Sequence, residues 1–222
     1  LFFFPLCLLA QKDYNLSLLT NVTFSEKITD VLGYVGPDGT EYAVVGAADG
    51  THIFSLADPN NPQQIKKIEG GFSRTADIKS WNDYLYILTE GGNEGKIIED
   101  IIGEPDQITS TTIRLEATVN GQVLSIWSCH NIFIDENGIA YLSNCGNINQ
   151  GDVLIFDLND DPEEPIFVGR SYFGQTSHDC FVRGDTLLNS NSVDGRFSIL
   201  DISDKSNPII LRDEPTIYHS PF

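Results

Sequence analysis

The sequence predicts an all-β chain. It reads as a β-propeller of four-stranded antiparallel blades, with about four blades present and the start of a fifth, hence an incomplete ring. Three observations predict this. Short runs of β-branched and aromatic residues are bounded throughout by Asn, Asp, Gly and Pro, the signature of strands joined by tight turns. These runs come in sets of four whose starts fall near residues 30, 77, 131 and 179. No stretch carries a helical period long enough to compete.

The clearest unit begins after Cys129. Residues Ile132 to Ile134 form its first strand, and Asp135-Glu136-Asn137-Gly138 is the turn. Ile139 to Asn144 and Val153 to Leu158 follow, and Pro165 to Tyr172 closes the set after an acidic turn at 159–164. Downstream, 178–182, 186–190, 197–202 and 209–211 repeat it, with Asp204-Lys205-Ser206-Asn207-Pro208 as the last turn. Upstream, 30–34, 42–46 and 52–56 lead to Asp58-Pro59-Asn60-Asn61-Pro62. Between them, 77–81, 84–89 and 96–101 make a further copy that turns at 103–106. A repeat of roughly 45 to 55 residues with four strands is the size of a propeller blade. Blade boundaries therefore fall at 29–75, 76–128, 129–176 and 177–217, and the next blade opens at 218.

Before the first blade stand two segments. Residues 1–10, LFFFPLCLLA, are apolar but too short to span a bilayer, and they match the apolar core of a secretory signal clipped at its start. Residues 11–28 form a lead-in in which Leu16, Leu18, Leu19, Val22 and Phe24 are expected to pair as a strand with a neighbouring blade. The chain of 222 residues has 32 acidic against 13 basic residues, a net charge of −19. That balance repels nucleic acid and anionic lipid, and no transmembrane segment is expected.

Two cysteines fit a bridge. If the hairpin of the third unit turns about Asn137, Cys129 and Cys145 lie eight residues to either side and face each other across an antiparallel pair. An exported protein would oxidise them. Cys180, inside a strand, reads as a buried free thiol.

Aligning the units exposes a polar column at their starts: Asp30, Asp77, Asn131, Asp179 and Ser220. The column before it contains His130, His178 and His219, three of the four histidines. In a propeller the first strand of each blade lines the central channel, so one repeated position becomes a ring. Two chemistries suit such a ring. The side chains can cap neighbouring backbone amides and join blade to blade. Imidazoles and carboxylates can also hold a divalent metal, Ca or Zn, or move a proton. No phosphate loop, Gly-x-Ser-x-Gly elbow or Cys-x-x-Cys occurs. Trp81 and Trp127 are candidate platforms for a carbohydrate, though both adjoin strands, where such residues serve the core.

The segments GYVGPDGTEYAVVGAADGTHIFSLADPNNP, CHNIFIDENGIAYLSNC, VLIFDLNDDPEEPIFVG, SHDCFVR and FSILDISDKSNPIIL, in that order, resemble the LVIVD-repeat β-propellers, in particular the secreted bacterial choice-of-anchor B proteins. The resemblance runs from about Asp30 to the end of the chain. It implies export to the bacterial surface or medium, further blades after Tyr218-His219-Ser220, a variable anchoring segment, and no established enzyme activity. The resulting expectation is a secreted or cell-surface scaffold, without catalysis, that binds a protein or carbohydrate ligand through its blade loops. The alternative is a metal-dependent hydrolase working at the channel with the His/Asp ring.

Overall fold

The computed structural model describes residues 16–36, 39–70, 73, 75–91, 95–99, 108–126, 128–146, 153–171 and 176–216. The apolar run 1–10, Trp127 and the opening of the next unit with His219 lie outside them.

Four antiparallel sheets follow one another, each with its strands in sequence order. Blade one contains β1 (Ile28–Val35), β2 (Glu41–Ala47), β3 (Gly50–Ser55) and β4 (Gln63–Glu69). Blade two contains β5 (Ala76–Trp81), β6 (Tyr84–Thr89), β7 (Gly95–Glu99) and β8 (Ser110–Ile113). A hairpin follows, β9 (Leu115–Val119) and β10 (Gln122–Ile126). Blade three is β11 (Asn131–Ile134), β12 (Ile139–Ser143), β13 (Val153–Asp157) and β14 (Ile166–Ser171). Blade four is β15 (Asp179–Arg183), β16 (Thr186–Asn191), β17 (Arg196–Asp201) and β18 (Ile209–Pro215). The helical content of the described residues is one 3-10 turn, Ser192–Asp194.

The copies share their irregularities. Between the third and fourth strands the register slips at Ile53/Phe54, Ile155/Phe156 and Ile199/Leu200, a bulge at the same place in three blades. In three blades the turn before the fourth strand is built alike. Asp58, Asp161 and Asp204 each accept the backbone N–H two residues on, at 3.0, 2.9 and 3.0 Å. The acidic turn at 159–164 thus uses a carboxylate to close the turn.

Middle strands alternate between two buried faces. On β12, Ala140 and Leu142 join Tyr86, Leu154 and Phe156 towards blade two. Ile139 and Tyr141 join Ile155, Leu187 and Leu200 towards blade four. A third cluster, with Val44, Ile53, Ile78 and Leu85, fills the space between blades one and two. A sheet covered on both faces needs apolar residues at consecutive positions, which is why VLIFD and IAYLS read as unbroken runs. The innermost strands meet in order, β1 on β5, β5 on β11 and β11 on β15, so their first residues surround one axis.

Two expectations fail. Residues 16–25 form no strand; Leu16 and Leu18 are 82% and 85% exposed, and Phe24 instead sets its ring edge against His52 and Phe54 of blade one. The hairpin β9–β10 was absorbed by the sequence reading into blade two. It is an insertion that packs against β14 and places Leu115, Ala117 and Ile126 in the core beside blade three. Its turn, Asn120-Gly121, has φ of 52° and 77°, the left-handed pair that a two-residue hairpin turn requires.

A candidate active site at the channel

Asp30, Asp77, Asn131 and Asp179 fall at equivalent places on β1, β5, β11 and β15, as their alignment in sequence demands. Their partners lie one blade ahead. The Ile78 N–H donates to Asp30 Oδ2 at 2.8 Å, and the Ile132 N–H donates to Asp77 Oδ2 at 2.8 Å. Asn131 Nδ2 also donates to Asp77 Oδ2, at 2.7 Å, while its own Oδ1 lies 4.0 Å from Cys180 Sγ. Three members of the ring are therefore latches from blade to blade, and Asp179 is left exposed. Among the described residues no three His, Cys, Asp or Glu side chains converge as metal ligands would.

Asp77 is 8% exposed, and Lys79 Nζ binds its other oxygen. Burial raises the Asp77 carboxyl above the ordinary range despite that ammonium, and the neighbouring Asp30 carboxyl pushes the same way. The cost of stranding a carboxylate away from water outweighs the ion pair here.

The histidine column carries a second arrangement. The His130 and His178 rings lie against each other, tilted by 55°, with centroids 4.2 Å apart. Glu90 Oε1 meets His130 Nδ1 at 2.9 Å, and Thr75 Oγ1 donates to Glu90 Oε2 at 2.9 Å. A carboxylate on one imidazole nitrogen fixes the tautomer and leaves Nε2 as the basic atom. Burial, and then the charge of His130, lower the His178 pKa. His130, Asp30, Asp77, Lys79, Asn131 and Asp179 all line one cavity of about 540 Å³. The fourth histidine, His52, belongs elsewhere: it sits in blade one between Asp49 and Gln64.

The structure forms the Cys129–Cys145 disulfide. Asn131 pairs with Ser143 and Ile132 with Leu142, so the same register carried outward sets Cys129 opposite Cys145. The bridge immediately precedes His130, whose N–H donates to the Ser143 carbonyl at 3.1 Å. Cys180 is buried and free, and its thiol pKa is pushed up to about 12. Trp81 is no open platform: it packs half-buried on the core beneath Gly138.

Sequence reasoning missed Glu90, Thr75 and Lys79. Glu90 lies just after β6, one strand out from the polar column and 40 residues from His130, so no local spacing links them. Lys79 was within reach, since it stands two residues beyond Asp77 on the same face of β5.

No family model and no curated protein matches the chain. Solved structures do. The periplasmic gluconolactonase of Pseudomonas aeruginosa matches with a TM-score of 0.63 at 13% identity, over 85% of this chain and 54% of that one. Proposed 6-phosphogluconolactonases from Bacteroides uniformis and Bacteroides fragilis match with TM-scores of 0.61 and 0.58 at 15% and 16% identity, over 85% of this chain and 55% of theirs. The chain spans about half the length of these structures. The matches correct the functional expectation. The scaffold without catalysis gives way, because three of the solved structures that the chain resembles are named as lactonases, two of them as proposed ones, and lactonases are enzymes. At these identities the likeness itself establishes the architecture: the chain is a β-propeller array.

Proposed function

We propose that this protein is a hydrolase that opens lactone rings at the channel cavity. The observation that carries this reading is the Glu90–His130 pair, whose imidazole lines the same cavity as Lys79. In the reaction, His130 Nε2 takes a proton from water as the oxygen attacks the lactone carbonyl carbon. Glu90, held by Thr75, keeps the imidazole turned and balances the charge it gains. The oxyanion forms beside Lys79. When the ring C–O bond breaks, the leaving alkoxide recovers the proton from His130, which gives the hydroxy acid and restores the base.

The names of the similar structures support a sugar lactone as substrate, gluconolactone or 6-phosphogluconolactone. The apolar run 1–10 and the bridged cysteines support action outside the cytoplasm, where thiols oxidise. The periplasmic origin of one similar structure supports it too. The repeat pattern supports membership of the LVIVD-repeat group.

Acid release from both lactones, corrected for spontaneous opening, tests the reading. His130→Gln should lower kcat by about 10²- to 10⁴-fold, and Glu90→Gln by less. Wild-type activity should fall as pH drops, since a protonated imidazole cannot accept the proton of water. A wild-type rate no higher than background on every lactone tried, or an undiminished His130→Gln, would end it.

A further inference from the structure

Resting on the lactone-hydrolase reading, we propose that the cavity selects an uncharged, hydroxyl-rich ring and discriminates against a phosphorylated one. The lining carries carboxylates from three separate inner strands: Asp30 from β1, Asp77 from β5 and Asp179 from β15. Against them stand two ammonium groups, Lys27 and Lys79. The charge of Lys79 is already met by Asp77. That leaves Lys27 opposite Asp30 and the exposed Asp179, in a chain whose net charge is −19.

Phosphate sites are built from guanidinium forks, helix N-termini or clustered backbone N–H groups. Among the described residues no arginine lines this cavity, and the single 3-10 turn, Ser192–Asp194, lies outside it. A ring of hydroxyls finds what it needs instead. Asn131 offers both a donor and an acceptor, Thr75, Asp30 and Asp179 offer acceptors, and Lys27 donates. Phe133, only partly buried, supplies an apolar surface for the C–H face of a sugar ring. A dianion brought into this lining meets like charge at close range and gains at most one unpaired cation, a difference of roughly tenfold or more in affinity.

Calorimetric titration of the full chain with anhydroglucitol, a ring polyol that cannot be hydrolysed, and with its phosphate ester reads the selectivity without any turnover. The polyol should bind at least about tenfold tighter at low salt, and the gap should narrow at high salt as the carboxylates are screened. Asp179→Lys should narrow it at low salt by roughly fivefold. Equal or tighter binding of the phosphate ester overturns the proposal, as does failure of both ligands to bind. So does an Asp179→Lys chain, folded by circular dichroism, whose ratio does not move. If that variant fails to fold, the wild-type ratio and its salt dependence still decide. Preference for the polyol with no lactone hydrolysed would leave this inference standing and remove the hydrolase reading.

Discussion

Asp77→Ala is the substitution that most directly measures what the channel ring does. The carboxylate accepts the Ile132 N–H and the Asn131 amide on one oxygen and Lys79 on the other. Removing it leaves the Ile132 N–H without its acceptor in a buried place, which costs about 1–3 kcal/mol. The Asn131 amide adds about 1 kcal/mol, and Lys79, about a third exposed, adds little because water replaces its partner. Relief from burying a carboxylate offsets part of this, so the net is about 2–3 kcal/mol. Asp77→Asn should cost only about 1 kcal/mol, since its Oδ1 still accepts the Ile132 N–H and blade three already uses Asn131 at this position. The pH dependence has a definite sign. The folded state holds the Asp77 proton more tightly than the unfolded chain, whose value is the ordinary 3.8. The contribution of Asp77 is therefore fully present below 3.8 and declines as pH rises from there through the raised folded value. The cost of Asp77→Asn should accordingly be smaller at pH 7 than at pH 3. Urea unfolding followed by fluorescence gives the differences at constant slope. An alanine variant that loses less than about 1 kcal/mol, or an asparagine variant that loses as much as alanine, would refute the latch.

Other consequences can be measured the same way. Replacing Cys129 and Cys145 together by alanine opens a loop of 16 residues and should cost about 3 kcal/mol, a fall of roughly 6–12 °C by calorimetry; an unchanged midpoint would mean that the bridge constrains nothing. Gly138→Ala places a Cβ 2.5 Å from the Trp81 indole at a φ of +74°, so a loss of about 2–4 kcal/mol is expected in urea, and a neutral outcome would show that the indole is free to move. Cys180, with its thiol raised to about 12, should escape iodoacetamide at pH 8 in the native chain and react once urea is added, as read by peptide mass mapping.

The fold was legible because its information is local and repeated. Strand runs, Asp-led turns and the polar column recur at the same offsets, and the disulfide followed from one hairpin centred on Asn137. The inserted hairpin was missed although Asn120-Gly121 is a strong turn signal, because a period of about fifty residues has slack enough to swallow twelve. The lead-in misled through its leucines, which are exposed rather than paired. The site was half legible. A column of side chains can be aligned by eye, and it yielded Asp30, Asp77, Asn131, His130 and His178. What each of them touches is set by the neighbouring blade, and Glu90 reaches His130 from another strand of another blade. The column of histidines and carboxylates reads as a metal cluster in sequence, whereas the folded chain brings together a carboxylate, a hydroxyl and two imidazoles.

The latches also have a direction. In each, the acceptor stands earlier in the chain than the amide it receives: Asp30 before Ile78, Asp77 before Ile132. A polypeptide emerges with its N-terminus first, so blades one and two, once finished, already present the oxygen that the next blade's innermost strand will require. Assembly can then proceed as a ratchet, each arrival captured by the one before it, and a lesion in any acceptor is felt first by the blade that comes after.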